Sequence, residues 1–188
     1  MLRPDRYDLA DPGDTWLGAA LLHPHPSYGG DRHNIVVDAL FRTLPGAGVA
    51  AVRFDFASDD IGRGVTDAVD AIDLLPADVG AAVVGYSFGA IVAAQVVHER
   101  VLGWVLVAPP FGAMTAGEGA SIAGDPRPKL VLAAEHDQFC PPDDARRQVG
   151  SWAATELEQV PGADHFLGGA TARVGDRVVE FLSRFRPA

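Results

Sequence analysis

The chain has 188 residues, 48% of them hydrophobic, with 15 Lys and Arg against 25 Asp and Glu. That length suits one domain, residues 1–188, and the apolar share supplies a sizeable core and argues against disorder. A formal net charge of −10 makes the long-range field repulsive to nucleic acid and to anionic membrane, so neither is expected as a partner.

The N-terminal stretch carries Arg3, Asp5, Arg6, Asp8 and Asp11 and lacks the apolar run of a signal peptide. Nowhere does an apolar run approach the ~20 residues needed to span a bilayer. One thiol, Cys140, cannot form an internal disulfide. A cytoplasmic protein is expected.

Residues 16–22 read as a strand ending in a proline-broken loop, and 31–44 as a helix with Ile35, Val36, Ala39, Leu40 and Phe41 on one side. A strand follows at 49–54, a helix at 66–75, a wholly apolar strand at 81–85 and a helix at 88–100. Further strands are expected at 104–108, 129–134 and 156–160, with helices at 142–153 and 174–185. Apolar strands separated by helices indicate a mostly parallel sheet covered on both faces. The segment 109–128, with four glycines and no periodicity, is a candidate mobile loop beside the site.

Gly85-Tyr86-Ser87-Phe88-Gly89 fits G-x-S-x-G, and it stands between a strand and a helix as a nucleophile elbow requires. The turn is so tight that the flanking positions must be small, and both are glycine. Ser87 is therefore the candidate nucleophile, and it needs a base. Asp137 lies fifty residues after Ser87, and His165 a further twenty-eight on. Both follow predicted strands, so both are expected at the carboxyl edge where open α/β sheets build their sites. His165 is the candidate base and Asp137 the acid that orients it. Glu135, Asp164 and His136 compete by position. Pro141-Pro142 favours Asp137, because it leads an acid loop into a helix. Asp164 is expected to hold its own loop, and His136 to be structural.

An oxyanion needs donors. One is expected from the amide of Phe88. The second is sought in His23-Pro24-His25-Pro26-Ser27-Tyr28-Gly29-Gly30, where the prolines have no N–H. That leaves His25, with Ser27 or Tyr28 as fallback. A metal set of His23, His25, His33 and Asp31 fits no standard zinc spacing, so no metal is expected. Tyr28, Tyr86, Phe111 and Phe139 are candidates to wall an apolar acyl site, with Phe56 and Phe88 beside them. Cys140 is expected to be a buried small residue.

Together the segments 23–30, 85–89, the loop around Asp137 and 162–166 resemble the α/β-hydrolase superfamily. The likeness is to small, lid-less serine hydrolases related to dienelactone hydrolases and short bacterial esterases, over residues 16–185. The resemblance implies the α/β-hydrolase fold without a cap domain and no cofactor. It also implies hydrolysis of an ester-type bond in a small molecule by a Ser-His-Asp triad through an acyl-enzyme. Two features depart from the pattern. Dienelactone hydrolases proper use cysteine where Ser87 stands, so lactone specificity is not implied. Relatives with the His-Pro-His-Pro loop usually carry an Arg-Gly-rich turn where this chain has Phe54-Asp55-Phe56-Ala57-Ser58-Asp59-Asp60. Only 109–128 is available to cover the site, so a shallow, open pocket is expected. A non-catalytic ligand-binding role on the same fold remains the alternative, as do thioesterase, amidase or peptidase activities, which the same triad serves. No feature of the sequence sets the oligomeric state.

Overall fold

The computed structural model describes residues 2–113 and 120–187. Seven strands form one sheet in the order β1-β3-β2-β4-β5-β6-β7. They are β1 (Tyr7–Ala10), β2 (Leu17–Leu22), β3 (Val49–Phe54), β4 (Ala81–Tyr86), β5 (Val101–Val107), β6 (Lys129–His136) and β7 (Thr155–Asp164). All neighbours pair in parallel except β1, which runs antiparallel to β3 along the edge. Every residue of β2, β3 and β4 is buried, as their near-continuous apolar runs require; the exception, Arg53 in β3, is paired with Asp8 and Asp38.

Two layers of helix cover the sheet. On one face, α1 (Ile35–Thr43) and α5 (Thr171–Leu182) pack Val36, Val37, Leu40, Val174, Val178 and Phe181 against Leu17, Ala19, Val84 and Val105. On the other, α2 (Ile61–Leu74), α3 (Phe88–Ala93) and α4 (Pro142–Val149) bury Ala68, Ile72, Val92 and Val149 with Phe54, Val83 and Trp104. Among the described residues no inserted domain caps the carboxyl edge. No helix among them is long and apolar enough to cross a membrane.

The chain runs outward from β2 to β3, then crosses back to place β4 against the other side of β2. That reversal is a topological switch point, where the loops leaving two adjacent strands part and open a crevice. The loop after β2 holds His23 to Gly30, and the turn after β4 holds Ser87. Both borders of the candidate site are thus set by strand order.

Several boundaries differ from expectation for local reasons. Helix α2 begins at Ile61 rather than 66, because Asp60 caps it by accepting from the amide of Arg63 at 2.7 Å. Helix α3 spans six residues instead of extending to Arg100. Its continuation is diverted by tertiary partners: the Ala94 carbonyl accepts from the amide of Ile122, and the Val96 carbonyl from the indole N–H of Trp104. Helix α4 ends at Val149 and α5 at Leu182. Strand β1 has no strong apolar pattern, and only its pairing with β3 makes it a strand. In the expected mobile segment, Ile122 is fully buried and Ser121 donates to Gln95; residues 114–119 lie outside the described part.

Candidate active site

Ser87 sits between β4 and α3 with φ 54° and ψ −117°, a conformation that a non-glycine residue adopts only when its surroundings enforce it. The enforcing contacts are visible. The Ser87 amide donates to the Val107 carbonyl at 2.9 Å, and its carbonyl accepts from the amide of Ala90. A Cβ on Gly85 would lie 2.1 Å from the carbonyl oxygen of Gly89, and one on Gly89 would lie 2.4 Å from that of Leu22. The two glycines are therefore the only way to bring β4, α3 and the end of β2 this close.

His165 follows the last residue of β7, and Asp137 the last residue of β6. These strands are neighbours, so residues far apart in sequence emerge side by side. The Nδ1–H of His165 donates to Asp137, 2.9 Å from Oδ2 and 3.1 Å from Oδ1. That leaves Nε2 as an acceptor, 2.9 Å from the Ser87 hydroxyl. All three side chains are buried: Ser87 is 9% exposed, Asp137 4% and His165 5%. Asp137 is also held by its own loop, where Oδ1 accepts from the amides of Phe139 at 2.8 Å and Cys140 at 3.1 Å. The ring of Phe139 stands edge-on to the imidazole, 4.5 Å between centroids.

The competing groups are engaged elsewhere. Glu135 accepts from the amide of Gly162, Asp164 accepts from the amide of Phe166, and the His136 side chain is 68% exposed beside Glu135. The Tyr86 hydroxyl donates to the carbonyl of His165 at 3.0 Å. Burial, with Asp137 and Asp164 nearby, pushes that phenol up to about 12. Cys140 is buried, and desolvation raises its thiol above the ordinary range.

The loop after β2 divides into two functions. His23 is 1% exposed. Its Nδ1–H donates to the Pro24 carbonyl at 2.6 Å, and Nε2 accepts from the amide of Phe56 at 3.0 Å. Both ring nitrogens are committed to protein partners, and desolvation pushes the imidazole below its usual value, so it is neutral. His23 therefore ties this loop to the segment after β3 rather than lining the cleft. His25 does face the cleft, with its ring against Phe88 and Tyr28 at 4.8 and 4.7 Å. The amide of Ser27 donates to His25 Nδ1, and that of Tyr28 to the His25 carbonyl. Both fallback oxyanion donors are thus already used, which leaves the amide of His25. Phe88 opens α3, so its N–H has no partner within the helix.

The cleft has a volume of about 830 Å³. Ser87, His165, Phe88, Ile61, Ile91 and Pro110 line it, with Tyr28, Phe139 and Phe166 exposed at the mouth. Of the four aromatic residues expected there, Tyr28, Tyr86 and Phe139 line it. Phe111 does not: it is 5% exposed and packs edge-on against Trp152 in the core. Its contact with Trp152 holds it in the core rather than at the mouth. Asp59, Ile61 and Phe166 were not expected. Asp59 belongs to the acidic segment that departs from the pattern of related loops, and Phe166 adjoins the base, so both carried a readable signal.

The family model described as serine hydrolase matches residues 67–172, more than half of the chain. The chain belongs to the serine hydrolase family. It is 27% identical over 184 residues to an uncharacterized protein of Rickettsia prowazekii, covering 87% of this chain and 77% of that one. A lid-less α/β serine hydrolase from Xanthomonas campestris superposes with a TM-score of 0.80 at 23% identity, covering 97% of this chain and 88% of the other. Est1E of Butyrivibrio proteoclasticus with bound ferulic acid superposes with a TM-score of 0.79 at 14% identity, covering 95% and 94%. The serine hydrolase shares the α/β-hydrolase fold of these structures, and like the Xanthomonas structure it carries no lid among its described residues.

Proposed function

We propose that this serine hydrolase cleaves carboxylic esters of small molecules by two-step acyl transfer. The observation that carries the reading is the buried relay from the Ser87 hydroxyl through His165 to Asp137. Ser87 attacks the ester carbonyl as His165 Nε2 takes its proton, and the imidazolium is stabilised by Asp137. The amides of Phe88 and His25 receive the oxyanion. His165 returns the proton to the departing alcohol, and the acyl group stays on Ser87. Water, deprotonated by the same nitrogen, then releases the acid and restores the serine.

An apolar cleft ringed by aromatic side chains suits an acyl or aryl group, and the ferulic acid bound to Est1E is a small molecule of that kind. The test is labelling with a fluorophosphonate, followed by a panel of esters, thioesters, lactones and amides. Adduct formation at Ser87 and highest turnover on esters are expected. A protein that binds such esters without labelling or turnover is a receptor on this fold, and turnover confined to amides or thioesters reassigns the reaction.

A further inference from the structure

The cleft mouth carries an unbalanced charge. Asp59 is the one carboxylate among the described lining residues, and no lysine or arginine is among them. The arginines on or beside the surrounding loops are turned away. Arg6 donates to the Phe56 carbonyl, Arg32 to Asp8 and Asp55, and Arg63 to Asp67. The stretch 103–126 contains no Lys or Arg.

Asp59 is fixed rather than adrift. Its Oδ2 accepts from the Ser27 hydroxyl at 2.7 Å, across thirty-two residues of sequence. That hydrogen bond holds its carboxyl below the usual range, so it is ionised throughout the neutral region. Ser27 adjoins Tyr28, a residue 88% exposed whose ring lies 4.7 Å from the His25 imidazole. A carboxylate hydrogen-bonded to Ser27 and an exposed tyrosine next in the chain, both lining one cleft, offer the two kinds of group that recognise an organic cation.

We propose that the corner formed by Ser27, Asp59 and Tyr28 selects substrates by charge. It favours esters bearing an ammonium group over neutral isosteres, and it turns away esters bearing a carboxylate. The inference rests on the ester hydrolase reading above and adds the substrate class. The net charge of −10 acts in the same direction at long range, but it is screened within a Debye length of ~8–10 Å. The local pair is what distinguishes substrates once they are bound.

Three 4-nitrophenyl esters test this, the valerate, the 4-(trimethylammonio)butanoate and the hemiglutarate; because their bulk differs, charge is read from how the ratio changes with salt and in Asp59→Asn. At low ionic strength kcat/KM is expected to be about tenfold higher for the cation than for the carboxylate, with the valerate between. The ratio should shrink in high salt and fall to about twofold in Asp59→Asn, which keeps the shape and the acceptor for Ser27. Glu99→Gln removes the same charge just before β5, at the opposite edge of the sheet, and should leave the ratio as it was. Equal kcat/KM for the charged esters, or an unchanged ratio in Asp59→Asn, overturns the charge selection while leaving the hydrolase reading intact. Failure to turn over any of the three, the valerate included, overturns both.

Discussion

The hydroxyl of Tyr86 donates to the backbone carbonyl of His165 across 3.0 Å, so the residue before Ser87 anchors the loop that carries His165. The span matters because Ser87 leaves β4 while His165 leaves β7, three positions along the sheet. Removing this hydroxyl should loosen the imidazole while leaving the ring that lines the cleft in place. Tyr86→Phe is expected to lower kcat about tenfold with little change in KM, and to cost ~1 kcal/mol of stability. A parallel rise in KM would show that Tyr86 acts on binding instead.

The triad geometry makes sharper demands. Ser87→Ala should fold with an unchanged unfolding midpoint, because the side chain makes one hydrogen bond and fills little space, yet lose turnover by roughly 10³-fold or more. Asp137→Asn should lose about 10³–10⁴-fold, since an amide no longer stabilises the imidazolium and admits the wrong tautomer. Their double variant should be little worse than either alone. Additive losses would mean the two residues act in separate steps.

The elbow glycines are predicted to be intolerant for steric reasons alone. In Gly85→Ala and Gly89→Ala the new Cβ would meet backbone oxygens at 2.1 and 2.4 Å, which no rotamer change relieves. Destabilisation on the order of 4 kcal/mol or more is expected, read as loss of soluble protein or a large drop in denaturant midpoint. Gly62→Ala serves as the control, because its nearest neighbour would be a side-chain oxygen at 3.4 Å.

His23 couples stability to pH. Desolvation lowers its folded-state pKa below the ordinary 6.5, so near and below that value the unfolded chain binds a proton that the folded chain resists. The stabilisation is complete above about 6.5 and is lost as pH falls from there through the folded-state value. His23→Leu should show a shallower fall in unfolding temperature between pH 7.5 and 5. It should also lose roughly 2–4 kcal/mol at neutral pH, because the Pro24 carbonyl and the Phe56 amide are left unpaired. A wild-type difference in pH slope that persists in the variant would assign the titration elsewhere.

Much of the site was legible because its chemistry is local. Glycines two before and two after a serine, between an apolar strand and a helix, impose the elbow whatever surrounds it, and the chain order of acid and base follows from where parallel strands end. Phe111 was misplaced because an aromatic residue after a strand reads alike whether it turns to the mouth or to the core, and packing against Trp152 decides. Helix α3 was read too long because its periodicity continues past Ala93, while the carbonyls of Ala94 and Val96 are claimed by Ile122 and Trp104. Asp60, by contrast, is a cap of the kind residue type alone signals, accepting from the amide of Arg63.

The sequence by itself determined the fold class and singled out Ser87, Asp137 and His165 as candidate nucleophile, acid and base, since each reading rests on short-range backbone constraint or on alternation of strand and helix. Tertiary structure alone decided that Asp59 is held against Ser27 at the cleft and that His23 supports the loop rather than the substrate. Those facts depend on pairings between segments thirty or more residues apart, and residue spacing carries no record of which distant partner a polar group will find.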